Sequence, residues 1–161
     1  MGSTFLCLTA NGWTAVGTIA LVIVTGALVF VARRQVVAAR EENRKTQTLN
    51  ACGQYDLSPV MFDCIQKIRN AQESGALKRN PKKFRRQMVT ILNFLDAIAI
   101  GIEQELYVED LAYDHLEAIV KSFVRDLIDS GLIVKAGYPI EHWRRLIALR
   151  DRWQQGRPIP S

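Results

Sequence analysis

The stretch Met88-Val89-Thr90-Ile91-Leu92-Asn93-Phe94-Leu95-Asp96-Ala97-Ile98-Ala99-Ile100-Gly101-Ile102 decides the fold. Its only charge is Asp96, although Lys82, Lys83, Arg85 and Arg86 precede it and Glu103 and Glu105 follow it. Projected with the helical period, Phe84, Met88, Ile91, Leu92, Leu95, Ile98, Ala99, Ile102 and Leu106 fall on one broad face, while Val89, Ala97 and Ile100 cover the back. A helix that is apolar nearly all round has neighbours on more than one side. The stretch is therefore expected to be the hub of a helical bundle.

Working outward, the charge divides the chain in two. Residues 1–32 contain no Asp, Glu, Lys, Arg or His, so the whole net charge of +5 lies in residues 33–161. Thr14 to Ala32 is long enough, at about 1.5 Å per residue, to cross a hydrocarbon core of about 30 Å. Trp13 stands at its start and Arg33 and Arg34 close its other end, which suits the two membrane interfaces. A cleavable signal peptide is disfavoured, because the basic leader is missing and the apolar run is too long. Arg33, Arg34, Arg40, Arg44 and Lys45 all follow the run, so the positive-inside rule predicts an outside N-terminus and a cytoplasmic remainder. Cys7, Cys52 and Cys64 have neither metal-site spacing nor an evident disulfide framework, and Cys52 and Cys64 read as small apolar residues in a reducing compartment.

The rest of the chain reads as helices. Residues 33–57 form a weakly amphipathic stalk. Ser58-Pro59 caps a helix carrying Met61, Phe62, Ile65 and Ile68 that stops at Gly75. Asn80-Pro81 opens the hub, Tyr107 to Asp110 makes an acidic elbow, and a further helix runs to Ser130. After Gly137-Tyr138-Pro139 the last helix places Ile140, Trp143, Leu146 and Ile147 on one face. The expected architecture is all-α: a transmembrane anchor (1–32), a stalk (33–57), an antiparallel bundle of about four helices (58–156) and a tail (157–161).

Short loops favour antiparallel neighbours, so the helix opened by Ser58 is expected to return toward the membrane. That would put Lys78, Arg79, Lys82, Lys83, Arg85 and Arg86 on the membrane side and the acids Glu103, Glu105, Glu109, Asp110, Asp114 and Glu117 at the far end. Cations at the start of a helix oppose its dipole at a cost of about 0.3–1 kcal/mol each. Anionic lipid attracts juxtamembrane Lys and Arg with about 1 kcal/mol each, enough to reverse that balance. The six cations are thus candidate contacts for anionic lipid or for a protein partner, including a second copy of the chain. The bland alternative is a pair of solvated charged faces. Nucleic acid is not expected, since only Phe84 offers a stacking surface and no recognition motif is present.

Catalytic constellations are scarce. Asn93 and Asp96 lie three apart on the hub and are read as a buried polar network needing partners such as Trp143, Tyr113 or Arg144. Neither His115 nor His142 has the Glu-x-x-His spacing of a bundle metal site, so no metal and no cofactor is expected. Gly101, costing about 1 kcal/mol inside a helix, implies a close helix contact.

The run Ile91 to Ile102, preceded by one apolar N-terminal helix and followed by an acidic elbow, resembles a family of small bacterial membrane-anchored helical proteins catalogued as domain of unknown function 4760. The resemblance covers most of residues 33–155, and its distinctive part is Asn93-Phe94-Leu95-Asp96 through Gly101-Ile102. Asp96 departs from the pattern, in which Glu is usual at that position. The resemblance implies an anchored all-helical domain in a bacterial inner membrane and supplies no activity. The expectation is a non-enzymatic accessory or interaction protein, a subunit of a membrane complex, that presents its acidic elbow to a partner. The alternative is a small-molecule sensor or enzyme with a polar pocket around Asn93, Asp96 and His115.

Overall fold

The computed structural model describes residues 10–157 and, among them, helices without strands. The chain forms two compact units, residues 1–42 and 43–161. Trp13 and Cys7 lie outside the residues whose side chains are described, as does the tail beyond Arg157.

In the first unit, helix α1 (Ala10–Leu57) carries an apolar surface with nothing packed on it: Ile19, Leu21, Val22, Ile23, Leu28 and Phe30 are all exposed. It is one helix long and apolar enough to span a membrane. The Thr25 hydroxyl donates to the Leu21 carbonyl at 2.8 Å, so this polar side chain is satisfied within the helix. The guanidinium of Arg34 lies 5.2 Å from the Phe30 ring.

The second unit begins at Asn43, inside the segment expected to be a stalk. Thr48, Cys52 and Tyr55, spaced four and three apart, are buried and belong to the core. The ring centroids of Tyr55 and Phe94 are 6.2 Å apart, and Arg44 donates to the Tyr107 carbonyl at 3.4 Å. The last turns of α1 therefore run antiparallel to the hub, helix α4 (Arg85–Glu103), and cover its C-terminal half.

Helix α2 (Pro59–Glu73) does not return beside α1 as expected. Only Ser58 separates the two, and helical bonding carries across: the Ser58 amide donates to Gln54 and that of Phe62 to Ser58. The Ser58 hydroxyl caps α2 by accepting from Met61, and the break bends the path without reversing it. Helix α2 thus continues onward and covers the N-terminal half of the hub. Helix α3 (Ala76–Arg79) and a 3-10 turn (Pro81–Phe84) then lead back into α4. Helix α5 (Glu109–Phe123) follows the elbow and widens into a π-helical stretch (Val124–Asp129) that keeps Val124, Leu127 and Ile128 buried. Helix α6 (Leu132–Lys135), a 3-10 turn (Ile140–Trp143) and α7 (Arg144–Gln154) complete the unit. Within it, the acidic elbow lies beside Arg44 and Thr48, and the basic cluster lies at the opposite end. This reverses the expected placement of the two charge clusters relative to the start of the bundle.

The hub buries Met88, Ile91, Leu92, Leu95, Ile98, Ala99, Gly101 and Ile102. Its end is a left-handed turn: Glu105 has φ 57°, and the Leu106 and Tyr107 amides donate to the Gly101 carbonyl at 2.8 and 3.2 Å. The turn folds the Tyr107 ring back onto Gly101, where a Cβ would lie 2.2 Å from the ring. The glycine therefore admits an aromatic ring rather than a neighbouring helix.

Gly101→Ala is expected to destabilise the bundle by about 1–3 kcal/mol through overpacking, and to do so much less when combined with Tyr107→Ala. Glu105→Gly should raise stability by about 1 kcal/mol by removing a left-handed non-glycine residue. Denaturant unfolding of the full chain in neutral detergent checks both.

Candidate functional site

The two polar residues of the hub do not form a closed buried network. Asn93 is exposed and Asp96 half-buried, and each holds the start of α7. The Trp143 indole Nε1 donates to Asn93 Oδ1 at 3.1 Å, and the Leu146 amide donates to Asp96 Oδ1 at 3.1 Å. Leu146 is the third residue of α7, whose own cap residue, Trp143, makes no side-chain capping bond. Asp96 supplies that acceptor from another helix, and its negative charge suits the positive end of the α7 dipole. Arg145 adds an ion pair to Glu103 at 2.5 Å.

Burial, the largest influence, raises the Asp96 pKa above its ordinary 3.8; the Leu146 amide and Arg145 pull it down, and Glu103 pushes it up. The carboxyl thus has one oxygen committed to a backbone amide. His115, expected beside it, is exposed and bonds to the Leu111 carbonyl of its own helix at 2.9 Å. Tyr113 packs edge-on against Trp153, ring centroids 5.4 Å apart.

The acids of the elbow are neutralised within the unit. Arg157 bonds Asp110 at 2.6 Å and Asp114 at 2.8 Å, and its hydrogen bond lowers the Asp110 pKa. Glu109 accepts from Arg152 at 2.9 Å and from the Trp153 indole at 3.0 Å. Glu117 pairs with Lys121. Arg150, nearly buried, reaches Asp129 and Asp151, both at 2.6 Å.

The basic end is different. Among the described residues Lys78, Lys82, Lys83, Arg85 and Arg86 form no ion pair. Arg79 turns away to the Ser74 carbonyl at 2.9 Å. Lys82, Lys83, Arg85 and Arg86, with Val89, Thr90 and Tyr138, line an open concavity of about 370 Å³. Arg85 is stacked over the Tyr138 ring, 4.4 Å from its centroid. The sequence identified the cations, but not Thr90 or Tyr138: a tyrosine in a Gly-Tyr-Pro turn looks like loop punctuation until the chain brings it to the hub. Two further concavities, of about 390 and 290 Å³, flank the hub, and neither Asn93 nor Asp96 lines any of the three.

Cys52 is buried, which pushes its thiol up to about 11 and keeps it protonated and unreactive. Among the described residues no group of three His, Cys, Asp or Glu could hold a metal ion.

A family model, Domain of unknown function (DUF4760), matches residues 19–153. The chain belongs to this DUF4760 family. The match includes the hub, the elbow and α7, so the Asn93 and Asp96 docking contacts lie inside the family domain. No curated protein and no solved structure matches the chain.

Asp96→Ala should cost about 1 kcal/mol by removing the acceptor for Leu146, whereas Asp96→Asn keeps an acceptor and should cost less. Because the folded-state pKa is raised, ionising Asp96 opposes folding: its effect is absent below pH 3.8, and stability falls as pH rises from there through the raised value. Asp96→Asn should flatten this part of the pH–stability curve, measured by thermal unfolding across acidic pH.

Proposed function

We propose that the chain is a non-enzymatic, single-pass membrane-tethered interaction protein of a bacterial inner membrane, its N-terminus outside and its helical bundle in the cytoplasm. The orientation is supported by Arg33, Arg34 and Arg40, which directly follow the apolar run. The observation that carries the role is the contrast between two classes of polar residue. Those of the core and elbow hold helices together: Asn93 and Asp96 dock α7, and Glu109, Asp110 and Asp114 bind Arg152 and Arg157. Among the described residues the cations around the basic concavity have ring contacts, Arg85 with Tyr138 and Lys83 with Phe84, but no acid partner, and remain available to an anionic partner. The contact surface is therefore assigned to this basic end, in place of the elbow to which the charge pattern first pointed. A carboxylate already serving as a helix cap makes Asp96 a poor acid or base, which weighs against an enzymatic pocket.

A fluorescent reporter fused after Ser161 should be active and a periplasmic phosphatase at the same position inactive. Gentle detergent extraction of the full chain should bring a stoichiometric companion that is lost when Lys82, Lys83, Arg85 and Arg86 are changed to Glu. An extracytoplasmic C-terminus would sink the topology, and recovery of the chain alone would sink the accessory role.

A further inference from the structure

We propose that the basic concavity at the start of α4 is a binding site for a phosphate-bearing anion, a phosphate ester or diphosphate group held by Lys82, Lys83, Arg85 and Arg86. This rests on the reading of the basic end as the contact surface and names the chemistry recognised there.

Four observations converge on it. First, four cations within five residues repel one another, yet no carboxylate of the described chain pairs with them. Elsewhere in the unit Lys67, Lys121, Arg125, Arg145, Arg150, Arg152 and Arg157 all find acids. Such a cluster costs stability, and an anion from outside would offset that cost.

Second, the cations surround a hollow instead of a convex face. Its volume of about 370 Å³ falls within the range of small-ligand sites. Third, the site is partly preorganised. The Arg85 guanidinium carbon lies over the Tyr138 ring, 4.4 Å from its centroid; that ring meets Trp143 edge-on at 5.9 Å, and Trp143 is anchored to Asn93. Stacking leaves the N–H edges of a guanidinium free for a planar fork of hydrogen bonds to two oxygens. Fourth, the positive end of the α4 dipole adds attraction for negative charge where the cations sit.

The number of charges selects the ligand. A single carboxylate would leave most of the cluster unneutralised, whereas a phosphate monoester or diphosphate brings two or more charges and several acceptor oxygens to Lys and Arg together. Thr90 adds a hydroxyl at the wall, and Val89 and Tyr138 add apolar surface for whatever the phosphate is attached to. The same chemistry is presented by a soluble phosphate ester and by a phospholipid headgroup.

The test uses the full chain in neutral detergent, titrated calorimetrically with inorganic pyrophosphate, short-chain phosphatidylglycerol and acetate, with tryptophan fluorescence followed in parallel. Pyrophosphate should bind at one site per chain, more weakly as salt rises, and acetate should give no signal. Arg85→Ala or Lys82→Ala should weaken binding about tenfold, while Arg69→Ala on α2 leaves it unchanged. Tyr138→Leu should weaken binding by freeing Arg85, and Tyr138→Phe should retain it. Competition by phosphatidylglycerol assigns the site to a headgroup, and pyrophosphate binding without competition assigns it to a soluble ester. Absence of binding by both phosphate probes, or equal loss in the Arg85 and Arg69 variants, overturns the proposal. A companion protein captured through the basic end without any phosphate binding would leave the interaction role standing and remove this inference alone.

Discussion

The hub helix cannot be left in water. With a broad apolar face along its whole length, α4 must be covered, and the elements packed on it answer that requirement. Helix α2 covers its first half, the end of α1 its second, and α5 and α7 pack on it as well, leaving Asn93 and Ala97 exposed. Apolar faces alone set position along an axis weakly, because a shift by one turn presents a similar surface. Asn93 and Asp96 remove that freedom by bonding Trp143 and the Leu146 amide, which pins α7 in both height and rotation.

Much of this architecture was legible in the chain. The uncharged N-terminal run, the hub, the Ser58-Pro59 and Asn80-Pro81 helix starts and the glycine stops at Gly75 and Gly131 follow from periodicity and capping chemistry, which act over a few residues. What escaped depended on distant partners. Thr48, Cys52 and Tyr55 share a helical stripe, but a hydroxyl, a thiol and a phenol do not register as a core face until Val108 donates its amide to Thr48 at 2.8 Å. Asn93 read as deeply buried because its neighbours are apolar; it faces outward, at the rim where Trp143 arrives. Gly101 signalled close approach correctly, but the approaching group is the Tyr107 ring from the following turn. A proline break suggests a reversal at α2, but a single intervening residue leaves the helical bonding nearly continuous and the path runs on.

The candidate site was legible in part. Runs of like charge are visible in any sequence; whether they are neutralised is a property of the fold. Both clusters looked equally available, yet folding brings Arg152 and Arg157 from the end of the chain onto the acidic elbow and brings only Tyr138 to the basic hollow. A cluster of charges left without counter-charges by the fold carries more information than the run itself.

The π-helical stretch at Val124–Asp129 has a consequence of its own. A wide turn holds one residue more than an α-helical path of the same height, so everything after it is rotated by about 100° relative to an uninterrupted helix. Phe123, Val124, Leu127 and Ile128 all lie buried on its inner side, and Asp129, the last residue of the wide turn, meets Arg150. A homologue with an unbroken helix here would need one residue fewer between Phe123 and Ser130, and its equivalent of Asp129 would face elsewhere.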